Sequence, residues 1–377
     1  MELPRADVDP GGLLEYSVVF TDRSLNHMSE RFVGVMHDLV DVLRTTYHAD
    51  AVAVVPGGGT FAMEAVARQL GGGRSAVVVR NGFFSYRWSQ ILDAGSIASD
   101  VTVCAARPDG PARDAAWSPA PVDDVVETIR RVRPGLVLAA HVETASGMLL
   151  PDEYVEAVAA ATHEAGGLFV LDCIASGALW VDMEAAGVDV LISAPQKGWS
   201  GSPCAGYVML GERARAAVAA SDSSSFAMDL RTWLSITEGY LEGRAAYHST
   251  MPTDTLAHNV ALMLETRERG LESLLAAQVD LGSRVRALLA ERGFASVAAE
   301  GFEAPGVVVV HTDDPGLQSG ARFREVGLQA AAGVPLMCGE PADFATFRIG
   351  LFGLDKLADV DGTVARFADG LDRLGVR

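Results

Sequence analysis

The sequence predicts an α/β protein: a large domain with a doubly wound, mostly parallel sheet, followed by a smaller α+β C-terminal domain. Two observations predict the sheet. Between about residues 30 and 210, short apolar runs alternate with helical patterns, as expected of βαβ units. The runs are continuously apolar, which is typical of strands buried on both faces. A third observation is length, since 377 residues can fill two domains.

The predicted elements of the large domain follow one another without long gaps. Its first half contains a helix at RFVGVMHDLVDVLRTTYH, a strand at AVAVV that a PGGG turn ends, a helix at TFAMEAVARQL, a strand at SAVVVR and a helix at FSYRWSQILDAG. Its second half contains a strand at PGLVLAAHVE, a helix at DEYVEAVAAATHEAGG, a strand at LFVLD, a short helix at DMEAAG, and strands at VDVLISAP and AGYVML.

The C-terminal third changes character. One long helical stretch is expected from about Thr253 to Arg292, then strands at VVVVHT and TFRIGLF, and a closing helix at DGTVARFADGLDRLG. We therefore predict an N-terminal arm or substrate-pocket segment at 1–29, a large domain at 30–270 and a small domain at 271–377.

Composition excludes several classes of partner. The net charge is −19 and the isoelectric point about 4.8, so phosphate backbones and anionic lipids are repelled; nucleic acid and membranes are not expected partners. The stretch MELPRADVDP lacks the basic start and apolar core of a signal peptide. The four cysteines form no CxxC pair and no zinc-like cluster with histidine. We expect reduced thiols in a cytoplasmic protein, and no metal.

Lysine is rare in this chain. Of the 30 basic residues, 28 are arginine and only Lys197 and Lys356 are lysine. A primary amine can condense with an aldehyde to a Schiff base, and a guanidinium cannot. Lys356 lies in a polar segment, and we interpret the presence of a lysine there as chance. Lys197 directly follows a predicted strand, which makes it the stronger candidate for chemistry.

Polar and aromatic residues follow the predicted strands, where α/β sheets bind ligands. The turn Pro56-Gly57-Gly58-Gly59-Thr60 precedes a helix and could hold a phosphate. Phe84 could lie over a planar ring, and Asp172 could pair with a ring nitrogen. Taken singly, each has an ordinary structural interpretation. Taken with Lys197, they are what pyridoxal 5′-phosphate (PLP) requires.

These residues, in this order, resemble the class V aminotransferase family of fold-type-I PLP enzymes, and within it the alanine–glyoxylate and serine–pyruvate aminotransferases. The resemblance covers about residues 30–377. It implies the following roles: Lys197 for the Schiff base and proton shuttle; Gln196, Gly58, Gly59 and Thr60 for the phosphate; Phe84 and Ile174 for the two faces of the ring; Asp172 for the ring nitrogen; Thr144, with Ser146 beside it, near the phenolic oxygen; Tyr247 and Thr250 of YHSTMP for the phosphate of the neighbouring subunit in a homodimer; and Arg348 of FRIGLFG for the substrate carboxylate.

The N-terminal segment departs from the family, which usually opens with a GPGP-type stretch. Here DPGGLLEYSVVFTDRSLNHMS offers Glu15, Tyr16, Arg23 and His27. Two interpretations stay open. The segment is either an arm over a dimer partner or a remodelled pocket in which Tyr16 and Arg23 bind substrate.

The leading hypothesis is a PLP-dependent enzyme that acts on the α-amino group of an amino acid, as an aminotransferase. The alternative is a PLP enzyme of β- or γ-elimination or replacement, a lyase or bond-forming transferase of specialised metabolism. A non-catalytic protein on the same fold is disfavoured by the intact Lys197, Asp172 and Gln196. A nicotinamide dehydrogenase is disfavoured because no GxGxxG fingerprint follows a strand.

Overall fold

The computed structural model describes residues 8–9 and 12–376. The start of the predicted arm (1–7, 10 and 11) and Arg377 lie outside the described residues, so most of the MELPRADVDP stretch does too.

The described residues form the following elements, in chain order. The helices are α1 Glu30–Tyr47, α2 Gly59–Leu70, α3 Phe83–Ala94, α4 Val122–Val132, α5 Asp152–Ala165, α6 Glu212–Ala219, α7 Leu230–Leu241, α8 Thr253–Arg269, α9 Leu271–Glu291, α10 Pro315–Gln318, α11 Ala321–Glu325, α12 Leu354–Ala358 and α13 Val360–Arg373. The strands are β1 Ala51–Pro56, β2 Ser75–Arg80, β3 Asp100–Ala105, β4 Arg107–Pro108, β5 Trp117–Ser118, β6 Leu136–Ala140, β7 Val142–Glu143, β8 Met148–Leu149, β9 Leu168–Asp172, β10 Val190–Ser193, β11 Ala205–Leu210, β12 Val307–His311, β13 Ala331–Ala332 and β14 Thr346–Gly350.

The main sheet has seven strands in the order β1-β11-β10-β9-β6-β2-β3. Strand β11 is antiparallel to β1 and β10, and the pairs from β10 to β3 are parallel. Strands β1, β10, β9, β6, β2 and β3 therefore point the same way, and their carboxyl ends share one edge. The predicted doubly wound, mostly parallel sheet is confirmed.

Burial explains why these segments are strands. All five residues of β6 and of β9 are buried, which matches their continuous apolar sequence. Helix α1 covers the sheet with an apolar stripe that includes Phe32, Met36 and Leu39. Its first turn is fixed by Ser29, whose side chain accepts a hydrogen bond from the backbone N–H of Phe32.

A second, antiparallel sheet lies in the C-terminal third, in the order β12-β14-β13. It places Arg348 in the central strand β14, opposite Val309 and Ala331. Backbone hydrogen bonds from Ala304 to Gly147 and from Leu149 to Phe302 join this part of the chain to the main sheet side. The division into domains at 270/271 stays a prediction.

Two expected elements are wrong in detail. The helical stretch from Thr253 to Arg292 is two helices, α8 and α9, because Gly270 adopts φ 88° between them. The segment DMEAAG is a set of turns rather than a helix: the Asp182 side chain accepts from the Ala185 N–H, and Gly187 at φ 68° ends the segment. No helix among the described residues is long and apolar enough to cross a membrane.

Candidate active site

The carboxyl edge of the main sheet brings together the segments that the sequence singled out. The turn at Gly58–Thr60 follows β1, Phe84 follows β2, Thr144 follows β6 and β7, Asp172 ends β9, and Lys197 follows β10. Residues more than a hundred positions apart in sequence thus meet because parallel strands end at the same edge.

The N-terminus of α2 lacks a side-chain cap. Its N-cap is Gly58, which forms no side-chain capping hydrogen bond among the described residues. Gly59 beside it packs closely on Ile174: a Cβ there would lie 2.3 Å from Cδ1 of Ile174, so that side chain would have to move. Unpaired N–H groups at the start of a helix favour an anion.

The neighbouring helix α3 is capped from inside the protein. The fully buried carboxylate of Glu143 accepts hydrogen bonds from the backbone N–H of Phe84 (3.3 Å) and Ser85 (2.8 Å) and from the Ser85 hydroxyl (2.7 Å). It also accepts from the Ala145 N–H at 2.9 Å. Since α3 already has a carboxylate at its N-terminus, α2 is the helix of this pair that can receive an external anion.

Two arginines flank the ring of Phe84. The guanidinium carbon lies 5.4 Å from the ring centroid for Arg87 and 5.6 Å for Arg348. Arg87 also donates a hydrogen bond to the hydroxyl of Thr60 at 3.0 Å, which links α3 to the turn before α2. Arg87 is a site residue that was not predicted from the sequence. The one signal was its position three residues after Phe84 in a helix, which puts both side chains on one face.

Arg348 spans the two parts of the chain. Its Nε donates to the carbonyl of Ala332 at 2.7 Å and its Nη1 to the carbonyl of Thr144 at 3.3 Å. Among the described contacts these bonds leave Nη2 for another acceptor. The small sheet therefore presents a guanidinium to the edge of the large one.

Asp172 is a buried carboxyl group, 7% exposed, at the end of β9. Burial raises its pKa to about 6, although a hydrogen bond from the Ile174 N–H (2.9 Å) opposes this shift. A buried carboxylate of this kind is stabilised by a cationic partner.

Lys197 is half-buried. Burial lowers its pKa, the charge of Asp172 raises it, and Arg348 lowers it again. The amine thus lies within the electrostatic reach of an acid and a guanidinium, and a smaller share of it is protonated at neutral pH than for an exposed lysine.

Several polar atoms near this edge have no partner among the described residues. They include Oε1 of Gln196 and the hydroxyl of Ser146, which are buried.

The Nδ1 atom of His141 lies 2.8 Å from the Ser176 hydroxyl, and burial lowers the pKa of His141 to about 4, so its ring is neutral at pH 7.

This donor set fits PLP. An uncapped helix start suits a phosphate, and a half-buried amine suits an aldehyde. The buried Asp172 forms no salt bridge among the described residues, although Lys197 and Arg87 act on it electrostatically, and such an acid suits a protonated ring nitrogen. The unpartnered oxygens of Gln196 and Ser146 are consistent with a bound group that donates hydrogen bonds or is held through water.

Four predicted residues lie elsewhere. Among the described contacts, no hydrogen bond or ring contact joins Tyr247, Thr250, Tyr16 or Arg23 to this cluster. The Tyr247 hydroxyl lies 3.3 Å from the Thr250 hydroxyl, and the Tyr247 side chain is 54% exposed. Tyr16 is 90% exposed.

The chain is similar to known proteins over nearly its full length. It is 30% identical over 365 residues to 2-aminoethylphosphonate–pyruvate transaminase 2 of Paraburkholderia xenovorans, covering 94% of this chain and 91% of that one. It is 28% identical over 382 residues to 2-aminoethylphosphonate–pyruvate transaminase of Burkholderia ambifaria, with 97% and 96% covered. No protein-family model matches the chain.

Solved structures share the fold. Alanine–glyoxylate aminotransferase from Nostoc sp. superposes with a TM-score of 0.77 at 22% identity, covering 92% of this chain and 88% of that one. An aspartate aminotransferase of subgroup IV from Thermus thermophilus gives 0.75 at 25% identity, with 93% of each chain covered. These structures confirm the predicted fold, and the transaminase relatives favour transamination over elimination or replacement. The chain belongs to the class V family of fold-type-I, PLP-dependent aminotransferases.

Proposed function

We propose that this aminotransferase moves an amino group between a small amine that carries an anionic end and a small 2-oxo acid. The observation that carries the proposal is the convergence of Lys197, Asp172 and Arg348 at one sheet edge, beside an uncapped helix start. The relatives are named for 2-aminoethylphosphonate and pyruvate, and a phosphonate or carboxylate suits the Arg348 guanidinium equally.

The cofactor would be held by residues that follow five strands of the main sheet (β1, β2, β6, β9 and β10). The phosphate would lie at the start of α2, against Gly58, Gly59 and the Thr60 hydroxyl, with Gln196 beside it. Arg87 supports this role for Thr60 because it donates to the hydroxyl oxygen and adds a positive charge.

The ring of the cofactor would lie between Phe84 and Ile174, and its nitrogen would pair with Asp172. Ile174 already packs on Gly59, so both ring faces would be lined by apolar side chains. Thr144, with the buried hydroxyl of Ser146, is proposed near the phenolic oxygen. Asp172 is assigned to the ring nitrogen because a buried carboxylate is more stable when a cation, here the protonated nitrogen, faces it.

Lys197 is the proposed general base and acid. PLP, when bound, supplies the carbonyl carbon that takes the amino group and a ring that withdraws electrons from the substrate carbon. Burial lowers the pKa of Lys197, so the unprotonated amine that removes a proton from the substrate carbon is populated nearer to neutral pH. Arg348 would fix the anionic end of the substrate and so aim that carbon at the amine.

A homodimer with shared active sites is part of the proposal. Tyr247 and Thr250 would complete the phosphate site of the second subunit, with Tyr16 and Arg23 entering its substrate pocket. Support comes from exposed apolar side chains on the arm, such as Leu13 and Val18, which a second copy would cover. A cytoplasmic location is also proposed, supported by four cysteines that are free thiols.

The first test uses the two lysines as a matched pair. Lys197→Arg keeps the charge but removes the primary amine, so the purified protein should lose the visible absorbance of bound cofactor and the cofactor that borohydride fixes to the chain. Lys356→Arg should keep both. Cofactor still fixed to the Lys197→Arg chain would contradict the assignment.

A second experiment separates transamination from elimination or replacement. The loaded enzyme is mixed with 2-aminoethylphosphonate or alanine and no oxo acid. Transamination yields one oxo product per site and then stops until pyruvate or glyoxylate is added. Continued turnover without an oxo acid, with release of a leaving group, would show that the enzyme catalyses elimination or replacement instead.

A further inference from the structure

The aromatic ring of Phe352 lies against the amine of Lys197. The Nζ atom is 5.1 Å from the ring centroid, within the range of a cation–π contact. Phe352 follows β14, the strand that carries Arg348, and it belongs to none of the roles described above.

One edge of the ring packs closely against two glycines. A Cβ on Gly306 would lie 2.9 Å from Cε1 of Phe352, and a Cβ on Gly177 would lie 3.4 Å from two ring carbons. Any larger residue at Gly306 would displace the ring. These close contacts limit how far the ring can move beside Lys197.

Hydrogen bonds join the turn of Phe352 to the turn of Lys197. The Leu354 N–H donates to the Ser200 hydroxyl at 2.8 Å, and the Ser200 N–H donates to the Lys197 carbonyl at 3.0 Å. The ammonium of Lys356 donates to the Phe352 carbonyl at 2.9 Å. Both lysines of the chain thus meet at one phenylalanine.

We propose that Phe352 is a positioning residue for Lys197, whose ring face holds and stabilises the free protonated amine at the sheet edge. The proposal rests on the proposed role of Lys197 as the base. The other charged groups that act on this amine are Asp172 and Glu143, which favour the ammonium, and Arg348, which disfavours it. Like Asp172 and Glu143, the Phe352 ring favours the ammonium form of Lys197. It also excludes water from one side of the amine.

The scarcity of lysine gives a direct test. The full chain, freed of cofactor, is methylated at its amines with ¹³C-formaldehyde, so that NMR shows one side-chain signal for each of the two lysines. Lys356→Arg assigns them. The variant Phe352→Leu keeps apolar bulk without a π face, and 3,4,5-trifluorophenylalanine at position 352 keeps the shape but weakens the negative face.

We expect the pKa of Lys197 to fall by about one pH unit in Phe352→Leu and by less in the fluorinated protein, with the Lys356 signal unmoved. In the loaded enzyme the acidic limb of the kcat profile should move to lower pH in the same order. Wild-type titration of Lys197 in the fluorinated protein would overturn the proposal, whatever the leucine variant does. This readout does not involve bound cofactor, so it fails or succeeds independently of the proposed function.

Discussion

At the scale of the residue, the rarity of a residue type decides how much its identity reveals. Lys197 could be singled out because the chain has two lysines, whereas Arg87 could not be because it is one of 28 arginines. The structure separates arginines by their contacts instead: Arg87 bonds to Thr60 and lies by Phe84. Lys356, interpreted as a chance survivor, bonds to the turn of Phe352.

Asp172 should make the cofactor-free chain less stable than an amide would. Its pKa is raised from 3.8 to about 6. Because the pKa of Asp172 is higher in the folded chain than in the unfolded chain, protonation of this group favours folding. That stability is fully present below the pKa of the unfolded chain and is lost as the pH rises through the pKa of the folded chain. At pH 8 the loss is complete, so Asp172→Asn should stabilise the cofactor-free chain by about 2–3 kcal/mol, measured by urea unfolding.

The same substitution should impair the loaded enzyme, because an amide cannot neutralise a ring nitrogen. Asp182→Asn is the matched control, since the Asp182 side chain is 41% exposed and its pKa is lowered; it should not stabilise the chain. Destabilisation of the cofactor-free chain by Asp172→Asn at pH 8 would contradict this prediction, since it would mean that the folded chain stabilises the Asp172 carboxylate.

Arg348→Lys should weaken substrate binding and spare cofactor binding. The lysine keeps one charge but loses the planar fork and the bonds to Ala332 and Thr144. Affinity for the amine substrate should fall by roughly 1.5–3 kcal/mol, the scale of hydrogen bonds to charged groups. Spectral titration with substrate measures this; unchanged affinity would remove Arg348 from the substrate site.

At the scale of the element, the two helices that begin beside the site differ in what caps them. Glu143→Ala should uncap α3, since it removes an acceptor for three backbone N–H groups and a hydroxyl. We expect a loss of about 3 kcal/mol in the free energy of unfolding. Asp229→Ala removes an ordinary cap from α7 and should cost about 1 kcal/mol. Equal losses would show that Glu143 is no more than an ordinary cap.

Most elements could be predicted because their patterns are local. The buried strands are continuous apolar runs, and their helices have helical periodicity. The two wrong predictions lie where a single residue overrides the local helical pattern. Gly270 divides one helical stretch into two, and the Asp182 side chain forms a turn in place of a helix. Which face Arg348 presents depends on strand pairing between β12, β14 and β13, which no local pattern specifies.

At the scale of the whole molecule, the arm and the YHSTMP segment form one unit. The ring of His27 lies 5.4 Å from that of Phe20 and 5.5 Å from that of Tyr247. The Leu25 N–H donates to Asp254, and the Leu25 carbonyl accepts from Thr253. Whichever active site Tyr247 approaches, the arm approaches as well. The two interpretations of the N-terminal segment are therefore compatible, since an arm that lies over a dimer partner would also line the substrate pocket of that partner.

The shared site predicts that two inactive chains restore each other. Lys197→Ala removes the amine and Tyr247→Ala removes a residue proposed to act in the other subunit. In a two-fold dimer with one chain of each kind, one site has both defects and the other has none. Random mixing makes half of the dimers mixed, so co-expression should restore about a quarter of wild-type activity. If Tyr247 served its own chain, every site would keep one defect and the mixture would stay as inactive as its parents. Assaying dimers purified through two different affinity tags distinguishes these outcomes, and each single variant, tagged in the same way, is the control.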